Sequence, residues 1–143
     1  MSKATQQDAQ LILQFYEMRR EPRMRQARSF MAGTFKAASF DEYLKLCPMG
    51  SEENASFRQV TTYWDMVAAI VKRGLVDLEL FFETNGEITL VWEKCKRVVP
   101  EIRERFKQPL FLASLEELAG KREAWLKETM PGYLEAMRQR FGL

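Results

Sequence analysis

Apolar side chains recur every three or four residues along nearly the whole chain, and proline and glycine interrupt that recurrence at intervals. Such spacing puts the oily residues on one face of an α-helix, and that face must be buried against something. Seven Gly and five Pro in 143 residues are too few for a loop-rich β architecture. The pattern predicts an all-α fold, an irregular antiparallel bundle of about six helices forming a single domain over residues 1–143. Hydrophobic residues at 46% and charged residues at 29% suit a globular chain.

The stops define the segments. Thr5 to Arg20 places Ala9, Ile12, Phe15, Tyr16 and Arg19 on one side. Pro22 disfavours helix at Glu21 but suits the first position of a second helix, to Lys36, striped by Met24, Ala27, Met31 and Phe35. Ser39 caps a short helix, Phe40 to Cys47, which Pro48-Met49-Gly50 ends. Ser51, Glu52 and Glu53 open a helix to Arg73 whose face is Phe57, Val60, Trp64, Val67, Ala68 and Val71. Tyr63, Met66 and Ile70 widen that face, as in a central helix with neighbours on two sides. Gly74 suits a left-handed terminus, with Leu75 packing back.

Asp77 caps Leu78 to Thr84, and Asn85-Gly86 reads as a helix–helix turn, because no alternating strand flanks it. Ile88, Val91, Trp92, Cys95, Val98, Val99, Ile102 and Phe106 then predict one long helix over 87–107, bent at Pro100. Ser114 and Glu117 match a capping box for a helix to about 129, carrying Leu115, Leu118, Ala119, Trp125 and Leu126. The helices at 51–73, 87–107 and 114–129 are expected at the centre. The tail, Tyr133 to Phe141, is amphipathic; it either closes this chain's own core or docks on a partner.

The chain has no histidine. That removes the usual general base near neutral pH, the commonest metal ligand and every histidine-assisted nucleophile. Cys47 and Cys95 lack CxxC spacing and read as buried free thiols. Carboxylates such as Glu52 and Glu53, or Glu116 and Glu117, are adjacent and face different ways, at helix starts where the macrodipole accounts for them. Asp77 to Glu87 lacks the ligand order of a calcium loop. The sequence therefore offers no catalytic, cofactor-binding or metal-binding residues. No apolar run approaches the roughly 20 residues that span a bilayer. The opening MSKATQQDAQ has no signal-like apolar region, so the expected compartment is the cytoplasm.

Charge is uneven. Residues 1–36 carry +4, 37–91 carry −5 and 92–143 carry +3, for a net +2. Arg19, Arg20, Arg23, Arg25 and Arg28 form the densest run and could hold phosphate or carboxylate groups. A nucleic-acid partner is disfavoured, because no aromatic base readers interleave with them. The favoured reading has them paired with the acidic middle, including Asp41, Glu42, Glu52 and Glu53. Trp64, Trp92 and Trp125 sit on apolar faces and read as core rather than as a ligand pocket.

The stretches KRGLVDLELFFET, ITLVWEKCKRVVPEIRERF and PLFLASLEELA, between Lys72 and Ala119, resemble a family of uncharacterised bacterial helical domains. The segment Arg19 to Arg28, RREPRMRQAR, is similar to an arginine-rich signature of the same family. The resemblance implies a helical fold and carries no assigned activity. Together these readings point to a non-enzymatic protein-interaction or scaffold module with an unknown partner, or one that self-associates. The alternatives are an anion- or nucleic-acid-binding module built on the arginine run, and an unfamiliar enzyme working without histidine.

Overall fold

The computed structural model describes residues 3–143; Met1 and Ser2, which the expected 1–143 domain includes, lie outside them. Among the described residues there are nine helices and no strand. They are α1 (Gln6–Arg20), α2 (Pro22–Gly33), α3 (Phe40–Leu46), α4 (Glu52–Val71), α5 (Leu78–Thr84), α6 (Glu87–Cys95), α7 (Val99–Arg105), α8 (Ala113–Thr129) and α9 (Tyr133–Phe141). None is long and apolar enough to cross a membrane. The all-α expectation holds, but the count exceeds about six.

Pro100 accounts for one of the additional helices. Instead of one helix bent over 87–107, the chain turns at Lys96–Val98 and restarts as α7, with Pro100 in its first turn. Proline has no N–H to reach the Lys96 carbonyl, and at a helix start none is required. The bend therefore becomes a break.

Most local stops act as the side chains dictate. Thr5 and Asp8 form a reciprocal capping box on α1, and Ser39, Ser51 and Asp77 accept the expected backbone N–H groups of α3, α4 and α5. Glu21 both ends α1 and starts α2, accepting from the N–H groups of Arg23 and Met24 at 3.0 and 2.8 Å. Gly74 has φ +79°, as its stop requires, but Leu75 is exposed rather than packed back, and the neighbouring Val76 is buried instead. Ser114 does not cap α8. Leu112, in the left-handed region, precedes the helix, and a distant carboxylate serves the role: Asp65 of α4 accepts the Leu115 N–H at 2.9 Å. A tertiary contact has replaced a local one.

α4 is the spine, with Phe57, Val60, Trp64, Val67 and Ala68 fully buried. It packs most extensively against α2 and then α8, so α2 belongs to the centre alongside the helices expected there. Met66 is exposed and does not widen the buried face; Tyr63 does, its hydroxyl donating to the Phe15 carbonyl of α1 at 2.6 Å.

The tail docks on its own chain. α9 buries Leu134 and Met137 against α8, and Arg138 reaches Glu93 of α6 and Glu123 of α8. Burial pushes the Glu93 carboxyl up, but hydrogen bonds and charge from Arg138 and Lys96 outweigh it and hold it below its ordinary 4.5. A carboxylate with a depressed folded pKa stabilises the fold above its unfolded value, and that contribution fades as pH falls through the folded one. Amides in 133–141 should therefore be well protected at neutral pH, and their protection factors should fall below about pH 4.5 before those of α4 do. Glu93→Gln should speed exchange there about tenfold at neutral pH. Unchanged α9 protection in that variant would refute the account.

Candidate functional site

Two places gather candidate side chains: the junction where the arginine run meets α6, and a cleft between α3, α4 and α7.

The five arginines do not act together. Arg28 places Nε between both oxygens of Glu87, at 3.0 and 2.9 Å, and donates from Nη1 to the Arg19 carbonyl. Arg19 approaches the same carboxylate at 3.9 Å and lies over the rings of Trp64 and Tyr16. The Trp64 indole N–H donates to Glu87 at 3.1 Å. Arg23 reaches Ser56, Arg20 pairs with Glu17, and Arg25 donates to the Arg20 carbonyl. The acidic partner is thus Glu87; none of Asp41, Glu42, Glu52 or Glu53 pairs with the run among the described residues. The geometry explains this. α3 follows the C-terminal end of α2, whereas Arg19 and Arg28 face the start of α6, where a carboxylate also complements the helix dipole.

The second place was not singled out by sequence. Tyr43 of α3, Phe57 of α4, Ile102 of α7 and the segment Phe106–Phe111 enclose an open cleft of about 540 Å³. Its rim is unusually oily: Met49 is 63% exposed, Phe106 41%, and Leu110, at the tip of the adjoining loop, 79%. Its polar groups are few. The Asn54 amide donates to the Tyr43 hydroxyl and the Cys47 carbonyl, both at 3.0 Å, fixing the cleft floor. Burial pushes the Tyr43 hydroxyl up while the Asn54 hydrogen bond pulls it back, so the phenol stays neutral at physiological pH.

The loop forming one wall is held under strain. Lys107 and Leu112 both have φ near +55°, a region that costs an L-residue roughly 1–2 kcal/mol. Two contacts enforce it. The Gln108 N–H closes back onto the Arg103 carbonyl at 2.9 Å, and the Arg103 guanidinium donates to the Phe111 carbonyl at 2.8 Å while pairing with Glu116. Strained, over-determined loops beside a cleft are where ligand contacts concentrate. A larger hollow of about 650 Å³ lies between α5 and α8 beside Trp125, but it is shallower and rimmed by Asp77, Glu79, Lys121 and Glu128.

Neither place assembles reactive groups. Among the described residues, no three His, Cys, Asp or Glu side chains stand close enough to hold a metal ion. Cys47 and Cys95 are free and buried, as the sequence suggested. Burial and Glu53 push the Cys47 thiol up to about 11, and complete burial raises Cys95 as well, which disfavours the nucleophilic thiolates. Trp64 is core, whereas Trp92 and Trp125 are only partly buried and the Trp125 indole N–H has no partner.

A family model described as "Domain of unknown function (DUF4760)" matches residues 4–122. No curated protein and no solved structure matches the chain. The matched span contains both walls of the cleft, the Arg19–Arg28 run and Glu87; α9 and the end of α8 lie beyond it.

Proposed function

We propose, from the premise that the chain belongs to the family of domains of unknown function DUF4760, that it is a non-enzymatic protein-interaction module whose recognition face is the aromatic cleft. The observation that carries this reading is the rim. A globular domain usually keeps large apolar side chains inside or scatters them singly, yet the half-exposed Met49 and Phe106 line one opening, and Leu110 is exposed on the loop that forms its wall. Methionine and aromatic side chains are also the types enriched where proteins recognise one another. The two buried thiols suit a reducing compartment such as the cytoplasm.

The test selects a phage-displayed random peptide library against the full chain and measures the enriched peptides by fluorescence polarisation. Phe106→Asp should weaken them about thirtyfold, the loss typical of an interface aromatic, while the variant keeps a cooperative melting transition lowered only by the lost ring contact with Phe40. A library that enriches nothing, or peptides that bind the variant equally well, would overturn the reading.

A further inference from the structure

Arg58 is exposed on α4, and its guanidinium makes no hydrogen bond or ion pair with any described residue. Several long cations of this chain are committed instead: Arg28 and Arg19 to Glu87, Arg103 to Glu116, Arg138 to Glu93, and Arg122 to backbone and Thr89. What distinguishes Arg58 is its position. It borders the aromatic cleft and, with Thr62, borders a second hollow of about 270 Å³ completed by Ala55 and Gln59. Residues 55, 58, 59 and 62 are spaced as one face of a helix, so this second hollow is a polar shelf running along α4. An apolar cleft and a polar shelf meet at one free guanidinium.

No carboxylate lines either hollow. On the loop side, Lys107 is another exposed cation, between the lining residues Phe106 and Gln108. An occupant bearing positive charge would meet two like charges and no lining carboxylate. One bearing a carboxylate would gain a planar, bidentate partner already standing at the mouth.

We propose that the partner segment is acidic and amphipathic: it seats a bulky apolar side chain in the cleft and presents a carboxylate to Arg58. This deepens the interaction reading and rests on it. Arg58 then selects among apolar segments, by attracting acidic ones and repelling basic ones.

The peptide selection described above reads this directly. Enriched sequences should combine Leu or an aromatic residue with Asp or Glu within a few positions, and their affinity should fall at higher salt. Arg58→Ala should weaken them about tenfold, the worth of one charge-assisted hydrogen bond. Arg58→Lys should keep more of the binding than Arg58→Ala, and a selection repeated on Arg58→Glu should enrich basic residues instead. Because Arg58 is exposed and its guanidinium makes no hydrogen bond or ion pair with a described residue, these variants should melt as the parent does. Enriched peptides without acids, bound equally by parent, Arg58→Ala and Arg58→Glu, would overturn this proposal while leaving the cleft as a recognition site. Peptides insensitive to Phe106→Asp as well would remove both.

Discussion

Glu87→Ala is expected to destabilise the protein by about 3 kcal/mol, a fall of roughly 10 °C in melting temperature for a chain of this size. Three donors converge on this carboxylate: Arg28 through Nε, Arg19 at 3.9 Å, and the Trp64 indole N–H at 3.1 Å. The surroundings are not water. Side-chain exposure is 17% for Glu87 and 12% for Arg19, and Trp64 is fully buried. Removing the carboxylate leaves two cations beside one another and an indole N–H with no acceptor, and each is costly away from solvent. The Arg19 Nε already lacks a partner, so the site has no spare acceptor to offer. Glu87→Gln, which keeps an acceptor but loses the charge, should recover about half the loss. Thermal unfolding of the two variants separates the cases. A Glu87→Ala protein that melts within about one degree of the parent would show that the junction contributes little.

The same junction shows what the sequence could reveal. Arg19 falls on the apolar stripe of α1, at the spacing of Ile12 and Phe15, and a charged residue on an oily stripe signals a buried polar contact. Its pairing with the acidic middle was therefore legible. Which carboxylate it meets was not, because that depends on how the α1–α2 hairpin lands on α6, a long-range choice that periodicity does not encode. The error at Ser114 has the same origin. The capping pattern is present, but α8 starts at Ala113, so Ser114 lies inside its first turn and Asp65, 50 positions away in sequence, accepts the Leu115 N–H instead. Local stops such as Ser39, Ser51, Gly74 and Asp77 read correctly, because each needs only its own neighbours.

The cleft was harder still. Phe106 continues the three-to-four repeat of the helix before it, and so it reads as core. The structure ends α7 at Arg105 and turns Lys107 left-handed, which swings Phe106 to the rim. Lysine gives no sequence warning of that conformation, as glycine would have. A trace of the feature was available in Phe106, Leu110, Phe111 and Leu112: four large apolar residues crowd a seven-residue connection broken by Pro109, more than a solvated loop needs.

Arg122→Ala is expected to cost about 3 kcal/mol, and it tests the same logic inside the core. Position 122 completes the stripe of Leu118, Ala119, Trp125 and Leu126 on α8, so helical spacing itself places a guanidinium indoors. It is 4% exposed and, among the described residues, has no carboxylate partner. Burial accordingly lowers its pKa, with Tyr133 opposing. Its donors go to neutral acceptors: Nε and Nη2 to the Phe82 carbonyl at 3.3 and 3.0 Å, and Nη1 to the Thr89 hydroxyl at 2.8 Å. One side chain thereby closes the last turn of α5, holds the start of α6 and covers the Trp125 face at 5.4 Å. Truncation leaves the Phe82 carbonyl and Thr89 unpaired and opens a cavity between three helices, two penalties that add. Arg122→Met should lose only about 1 kcal/mol, because an unbranched chain of similar length fills the space and removes the desolvated charge. If Met costs as much as Ala in chemical denaturation, the hydrogen bonds rather than the packing carry this residue's contribution; if neither variant shifts the midpoint, Arg122 does not join α8 to α5 and α6.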